Sequence, residues 1–111
     1  MIDISALKKI YVYSQRVDMR MGMHKIKNII SLTYGPKEIM HSAFVFVSKD
    51  RRNIKIYYED LRGSWLYVNK VQYFKYQVEG FEDVETITRE DLNCLLQGVE
   101  MQTKRESKIL V

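Results

Sequence analysis

The run Ala43-Phe44-Val45-Phe46-Val47 is continuously apolar, and the segment after it, Ile54-Lys55-Ile56-Tyr57-Tyr58-Glu59-Asp60, alternates. A short unbroken apolar run is the pattern of a strand covered on both faces. Ile54, Ile56 and Tyr58 alternating with Lys55, Tyr57 and Glu59 have the period of a half-buried strand. The two are separated by the polar turn Lys49-Asp50-Arg51-Arg52-Asn53. Asp60-Leu61-Arg62-Gly63 has the aspartate-to-glycine frame of a type I turn, leading into Ser64-Trp65-Leu66-Tyr67-Val68 and so predicting a hairpin. Tyr73 to Val78 is a candidate for one more strand.

Outward from this sheet, Lys9-Ile10-Tyr11-Val12-Tyr13 is β-branched and aromatic and predicts a first strand. Asp18 is placed to N-cap a helix whose Met19, Met23, Ile26, Ile30 and Thr33 share one face. Tyr34-Gly35-Pro36 should end it, glycine as a left-handed cap and proline as a stop. Beyond an acidic loop from Glu79 to Glu85, Thr88 and Asp91 have capping-box spacing. Leu92, Leu95, Leu96 and Val99 then give a second helix one apolar face. The order is strand, helix, three or four antiparallel strands, helix: a small single α+β domain over residues 1–102, with residues 103–111 as a flexible tail.

The chain has 111 residues, 46% of them hydrophobic and 29% charged, which suits one globular domain and excludes a largely disordered one. Its single cysteine, Cys94, excludes a disulfide framework and suits a reducing cytoplasm. No apolar stretch approaches the roughly 20 residues of a membrane span, and the N-terminus lacks the order of a signal peptide. A soluble cytoplasmic protein is expected. Residues 1–55 carry eleven basic residues against four acidic, net +7, and the remainder is net −3. A basic half fits a nucleic acid or another anionic partner, or else an ordinary solvated surface.

Catalytic groups are sparse. His24 and His41 lack a second ligand at metal spacing, Cys94 sits between leucines as a buried inert thiol would, and the five glycines are scattered singly. Glu59 and Asp60, adjacent on a strand, must point to opposite faces. A hydrolase or nuclease would need Asp18 and Asp60 to meet around a metal, and nothing in the sequence brings them together. Neither enzymatic activity nor a cofactor is expected. The aromatic-basic segment holds Trp65, Tyr67, Tyr73, Phe74 and Tyr76 among Arg62, Lys70 and Lys75. Such a surface can stack bases, although Trp65 and Tyr67, two apart, read first as core or interface. Lys49, Arg51, Arg52 and Lys55 around the first turn are the better phosphate contacts, because a turn projects long cations into solvent.

Four stretches in order make the chain recognisable: Asp18-Met19-Arg20 with Gly22; Phe44-Val45-Phe46 before the basic turn; Lys55-Ile56-Tyr57-Tyr58-Glu59-Asp60 with Gly63, Leu66 and Lys70; and Leu92, then Leu95-Leu96-Gln97-Gly98-Val99-Glu100. Together they resemble the Orf2-like (TnpB-type) accessory protein of insertion-sequence-66-type bacterial transposable elements, from about Ile10 to Glu100. The chain departs from that pattern at Met21 and Asn69, where the family favours basic residues, and at Glu59, where tryptophan is usual. Tyr76-Gln77 stands in place of a tryptophan-proline pair. The resemblance implies a non-catalytic role in transposition beside a separate transposase, with no catalytic residues to carry over. Two mechanisms follow. One is DNA binding through Arg20, Lys49, Arg51, Arg52, Lys55 and Lys70. The other is docking onto the transposase or another subunit through the sheet and its aromatics. Within the motif, Arg20 is either a DNA or partner contact or a local ion pair with Asp18. The oligomeric state is left open.

Overall fold

The structure, a computed structural model, describes residues 3–13, 18–78 and 85–98. A 3-10 turn at Ile4–Ala6 precedes β1 (Lys9–Val12), α1 (Met23–Ser31), α2 (Pro36–Ile39), β2 (Ser42–Val47), β3 (Asn53–Asp60), β4 (Gly63–Lys70), β5 (Thr86–Ile87) and α3 (Arg89–Gln97). The sheet order is β4-β3-β2-β1-β5, antiparallel except for the parallel β1–β2 pair. A parallel pair cannot be joined by a hairpin, and α1 with α2 makes the crossover. This is the expected α+β domain.

β2 is central, and its residues Ser42 to Phe46 are all buried. Its alternate side chains enter two cores. On one face Phe44 and Phe46 pack with Tyr11, Tyr57, Ile26, Ile30 and Ile39, beneath α1 and α2. On the other, Ala43 and Val45 join Ile10, Ile54, Ile56, Tyr58, Tyr76, Leu92 and Leu95, beneath α3. β3 is therefore covered on both faces rather than half-buried, because Tyr57 lies at 1% exposure under the first helical layer.

Thr88 accepts the Asp91 N–H at 3.0 Å and starts α3 as its spacing predicts. Gly98 ends the helix in the left-handed region, at φ 73°. The hairpin turn is also as expected, with Leu61 and Arg62 both at negative φ.

Expectations for three segments are corrected. Asp18 does not cap a helix. Its Oδ1 accepts the Arg20 N–H at 2.9 Å, making a separate turn, and α1 begins only after Gly22. That leaves Met19 packed beside the core ahead of the helix and Thr33 exposed beyond its end. Gly35 is not a left-handed cap. At φ −79° it starts α2, with Pro36 in the first turn and the Glu38 carboxylate accepting the Gly35 N–H at 3.1 Å. Tyr73 to Val78 forms no strand, and the fifth strand is Thr86–Ile87. Val99, the loop residues 79–84 and the tail 103–111 lie outside the described residues.

Candidate nucleic-acid interface

The β2–β3 turn is built by its own short side chains. The Ser48 N–H donates to the Asn53 carbonyl at 2.9 Å, and the Asn53 N–H returns to Ser48 Oγ at 3.0 Å. Asp50 accepts from the Ser48 hydroxyl and, at 3.1 Å, from the Arg52 N–H. The Ser48 hydroxyl first, and the Arg52 amide second, hold the Asp50 carboxyl below the usual carboxylate range. Arg51 takes the left-handed conformation at φ 62°, which lets the chain reverse.

The segment after β4 folds back against this turn. Arg52 donates from one guanidinium nitrogen to the carbonyls of Gln72 and Phe74, at 2.9 and 3.2 Å. The Arg52 carbonyl accepts the Val71 N–H at 2.8 Å, and the Arg51 carbonyl accepts the Tyr76 N–H at 2.7 Å. Tyr76 is thereby drawn into the core, with Asn69 donating to its hydroxyl at 2.8 Å. The β pairing sets Lys70 directly opposite Asn53. Lys49, Arg51, Arg52, Lys70 and Lys75 thus gather at one end of the sheet, with Lys49, Lys70 and Lys75 exposed.

Two of the expected phosphate contacts are engaged elsewhere. Lys55 is half-buried, and its ammonium donates to the Met21 carbonyl at 2.7 Å, holding the 18–22 turn against β3. Arg20 folds onto Asp18, with Nε 3.0 Å from Oδ1 and Nη2 2.9 Å from Oδ2. The hydrogen bond from that guanidinium, then the one from the Arg20 backbone, lowers the Asp18 carboxyl to about 2. The ion-pair reading of Arg20 is the geometry seen, although 91% of its side chain remains exposed. Arg52, expected as a phosphate contact, is a positioning residue as well. Its role was not readable from sequence, because backbone carbonyls twenty residues away leave no side-chain signature.

The opposite end of the sheet carries acids, each paired. Glu59 accepts from Lys27 and, at 2.7 Å, from the Tyr57 hydroxyl. Burial pushes its carboxyl up, but the Lys27 and Tyr57 hydrogen bonds outweigh burial and hold it low. Asp60, on the other face as expected, accepts the Arg62 N–H at 2.7 Å and its guanidinium at 3.0 Å. Tyr58 also donates to Asp60, at 3.3 Å, and Gly63 at φ 143° closes the turn. Asp18 and Asp60, each bound to its own arginine, do not form a joint site. Among the described residues no group of three histidines, cysteines or acids could hold a metal, and Cys94 is buried. No described helix is long and apolar enough to cross a membrane.

On the α3 face, the Arg62 guanidinium lies 5.2 Å over the Trp65 ring, whose other neighbour is Tyr58. Trp65 is 40% exposed, and Tyr67 borders an apolar hollow with Ile4, Leu92 and Leu96. These aromatics complete the core on one side and meet solvent on the other.

A family model described as IS66 Orf2 like protein matches residues 8–106. Neither the curated proteins nor the solved structures contain a match.

Proposed function

Because the chain belongs to the IS66 Orf2-like family, with an accessory role in transposition, we propose that it is a non-catalytic DNA-binding subunit supporting a separate transposase. The observation that carries this reading is the basic end of the sheet. There Lys49, Arg51, Arg52, Lys70 and Lys75 converge around the β2–β3 turn, and Asp50 is turned onto that turn's own donors. Such a cluster suits phosphates, and it supplies affinity without reading bases.

The test is fluorescence anisotropy with labelled duplex DNA, from about 50 to about 200 mM salt. Each phosphate contact contributes about 0.9 to the log–log salt slope. Replacing exposed Lys49, Lys70 and Lys75 with glutamine should lower the slope by as much as about 2.7. A slope that does not change refutes this surface.

A second reading, docking onto the transposase, is favoured by the exposed Trp65 and by Tyr67, which borders an apolar hollow. It predicts no DNA binding even at low salt. Association with the transposase would then be weakened by Trp65→Ala and nearly indifferent to salt.

A further inference from the structure

β4 is the outer strand of the sheet among the described residues. It pairs with β3 over eight consecutive positions, from Asp60 opposite Gly63 to Asn53 opposite Lys70. The ladder continues without a bulge into the Val71 N–H bond to Arg52. Backbone groups in an antiparallel ladder alternate between facing the partner and facing away. Val71 faces β3, so Gly63, Trp65, Tyr67 and Asn69 do too. Ser64, Leu66, Val68 and Lys70 therefore present their N–H and C=O groups along an edge that no other described strand pairs.

Edge strands of stable monomers are commonly short, bulged, or interrupted by proline or charge. β5, at the opposite edge, is two residues long. β4 has none of these protections from Ser64 through Asn69. Its side chains are also unusually apolar for such a position, with Val68 58% and Trp65 40% exposed.

We infer that β4 pairs with β4 of a second copy of this chain, antiparallel about a two-fold axis through Tyr67. The axis is perpendicular to the sheet, so each face of one copy continues the same face of the other. Centring on Tyr67 sets Leu66 opposite Val68 of the second copy, on the α1 face, and Ser64 opposite its Lys70. Every outward-facing residue from Ser64 to Lys70 then exchanges backbone hydrogen bonds. On the α3 face, Trp65 and Tyr67 of both copies form one aromatic row. Centring on Leu66 instead would set Arg62 against Lys70 and Val68 against Ser64, a like-charge clash with less apolar pairing. Self-complementarity about Tyr67 favours a second copy over a strand of another protein. The result is a continuous ten-stranded sheet.

The full chain should sediment as a dimer that dissociates on dilution. Val68→Lys sets like charges from the two copies on neighbouring positions and should weaken the dimer at least tenfold. Val68 is already largely exposed, so the fold should survive, as far-UV circular dichroism will show. Tyr67→Cys gives an independent reading. Its backbone faces β3, so its contact across the axis is a non-hydrogen-bonded pair, with Cα atoms about 4.5 Å apart. That spacing accepts a disulfide, and mild oxidation with oxidised glutathione should crosslink Tyr67→Cys but not Trp65→Cys.

A wild-type chain that stays monomeric at every concentration overturns the inference, and then the edge is left for a strand of another protein. A dimer that survives Val68→Lys, or that crosslinks through Trp65→Cys instead, overturns the pairing. Dimerisation is read without DNA, and Val68→Lys removes no cation from the basic end. Failure here and failure of DNA binding are therefore distinguishable.

Discussion

Replacing Lys55 by methionine separates a structural cation from the cations proposed to bind DNA. The Lys55 ammonium reaches across 34 positions of sequence to the Met21 carbonyl, 2.7 Å away, and ties the Asp18–Gly22 turn to β3. Methionine keeps much of the apolar stem and removes only the charged donor. A hydrogen bond from a charged group nets about 1.5–3 kcal/mol. Lys55 is half-buried, so water can reach the released carbonyl, and the loss should fall at the lower end, about 1.5 kcal/mol. For a domain near this size that lowers Tm by about 6 °C. The assay is urea and thermal unfolding followed by Trp65 fluorescence, together with the DNA salt slope of the folded variant. Lys70→Gln is the converse control. Lys70 is exposed, so stability should change by less than about 0.5 kcal/mol while the slope falls by about 0.9. If Lys55→Met melts like wild type yet lowers the slope by that amount, the assignment of Lys55 to the fold is wrong.

Two further expectations bear on the fold that carries these surfaces. Glu59 is held below its ordinary value in the folded state, so its contribution is present above the unfolded value of about 4.3 and is lost as pH falls through the folded value. Glu59→Gln should cost about 1 kcal/mol near neutrality, discounted for the partial hydration of Lys27, and should flatten acid unfolding below about pH 4. Superimposable acid limbs for the two proteins would contradict this. Gly98→Ala combines a left-handed backbone at φ 73° with a new methyl group 2.7 Å from the Phe74 ring. It should destabilise by about 1–2 kcal/mol, and an unchanged Tm would show that neither constraint holds.

The parts of the fold that sequence conveyed best are those whose side chains answer to a local period. β2, β3 and β4 alternate or run apolar over five or more residues, and Thr88 with Asp91 has only one good use at the start of α3. The misread parts have residues with two uses. Asp18 can cap a helix or bend a turn, and its bond to the Arg20 amide selects the turn. Gly35-Pro36 can stop one helix or begin another, and the Glu38 carboxylate on the Gly35 amide marks the beginning. Tyr73 to Val78 has strand-like composition, but its amides and carbonyls are taken singly by Arg51 and Arg52. At the basic end, the gathering of charge along the turn was legible. The engagement of Lys55 and Arg52 was not, because each binds a backbone carbonyl that any residue could supply.

The basic end and the open edge also bear on each other through distance. In the β3–β4 register, Arg51 falls opposite Gln72, five residues beyond Tyr67. At about 3.4 Å per residue, the two turns of a β4-paired dimer lie about 34 Å apart along the strand direction. They are offset laterally by about three strand spacings of 4.8 Å, which gives roughly 37 Å in all. One turn of B-DNA is about 34–36 Å. Lys70 lies on the α1 face with Leu66, and the two-fold axis keeps that face on one side of the joined sheet. Two basic ends presented this way match phosphates on the same side of a duplex one helical turn apart. The pairing of β4 would double the phosphate contacts and hold their spacing rigidly, through the backbone of the sheet itself.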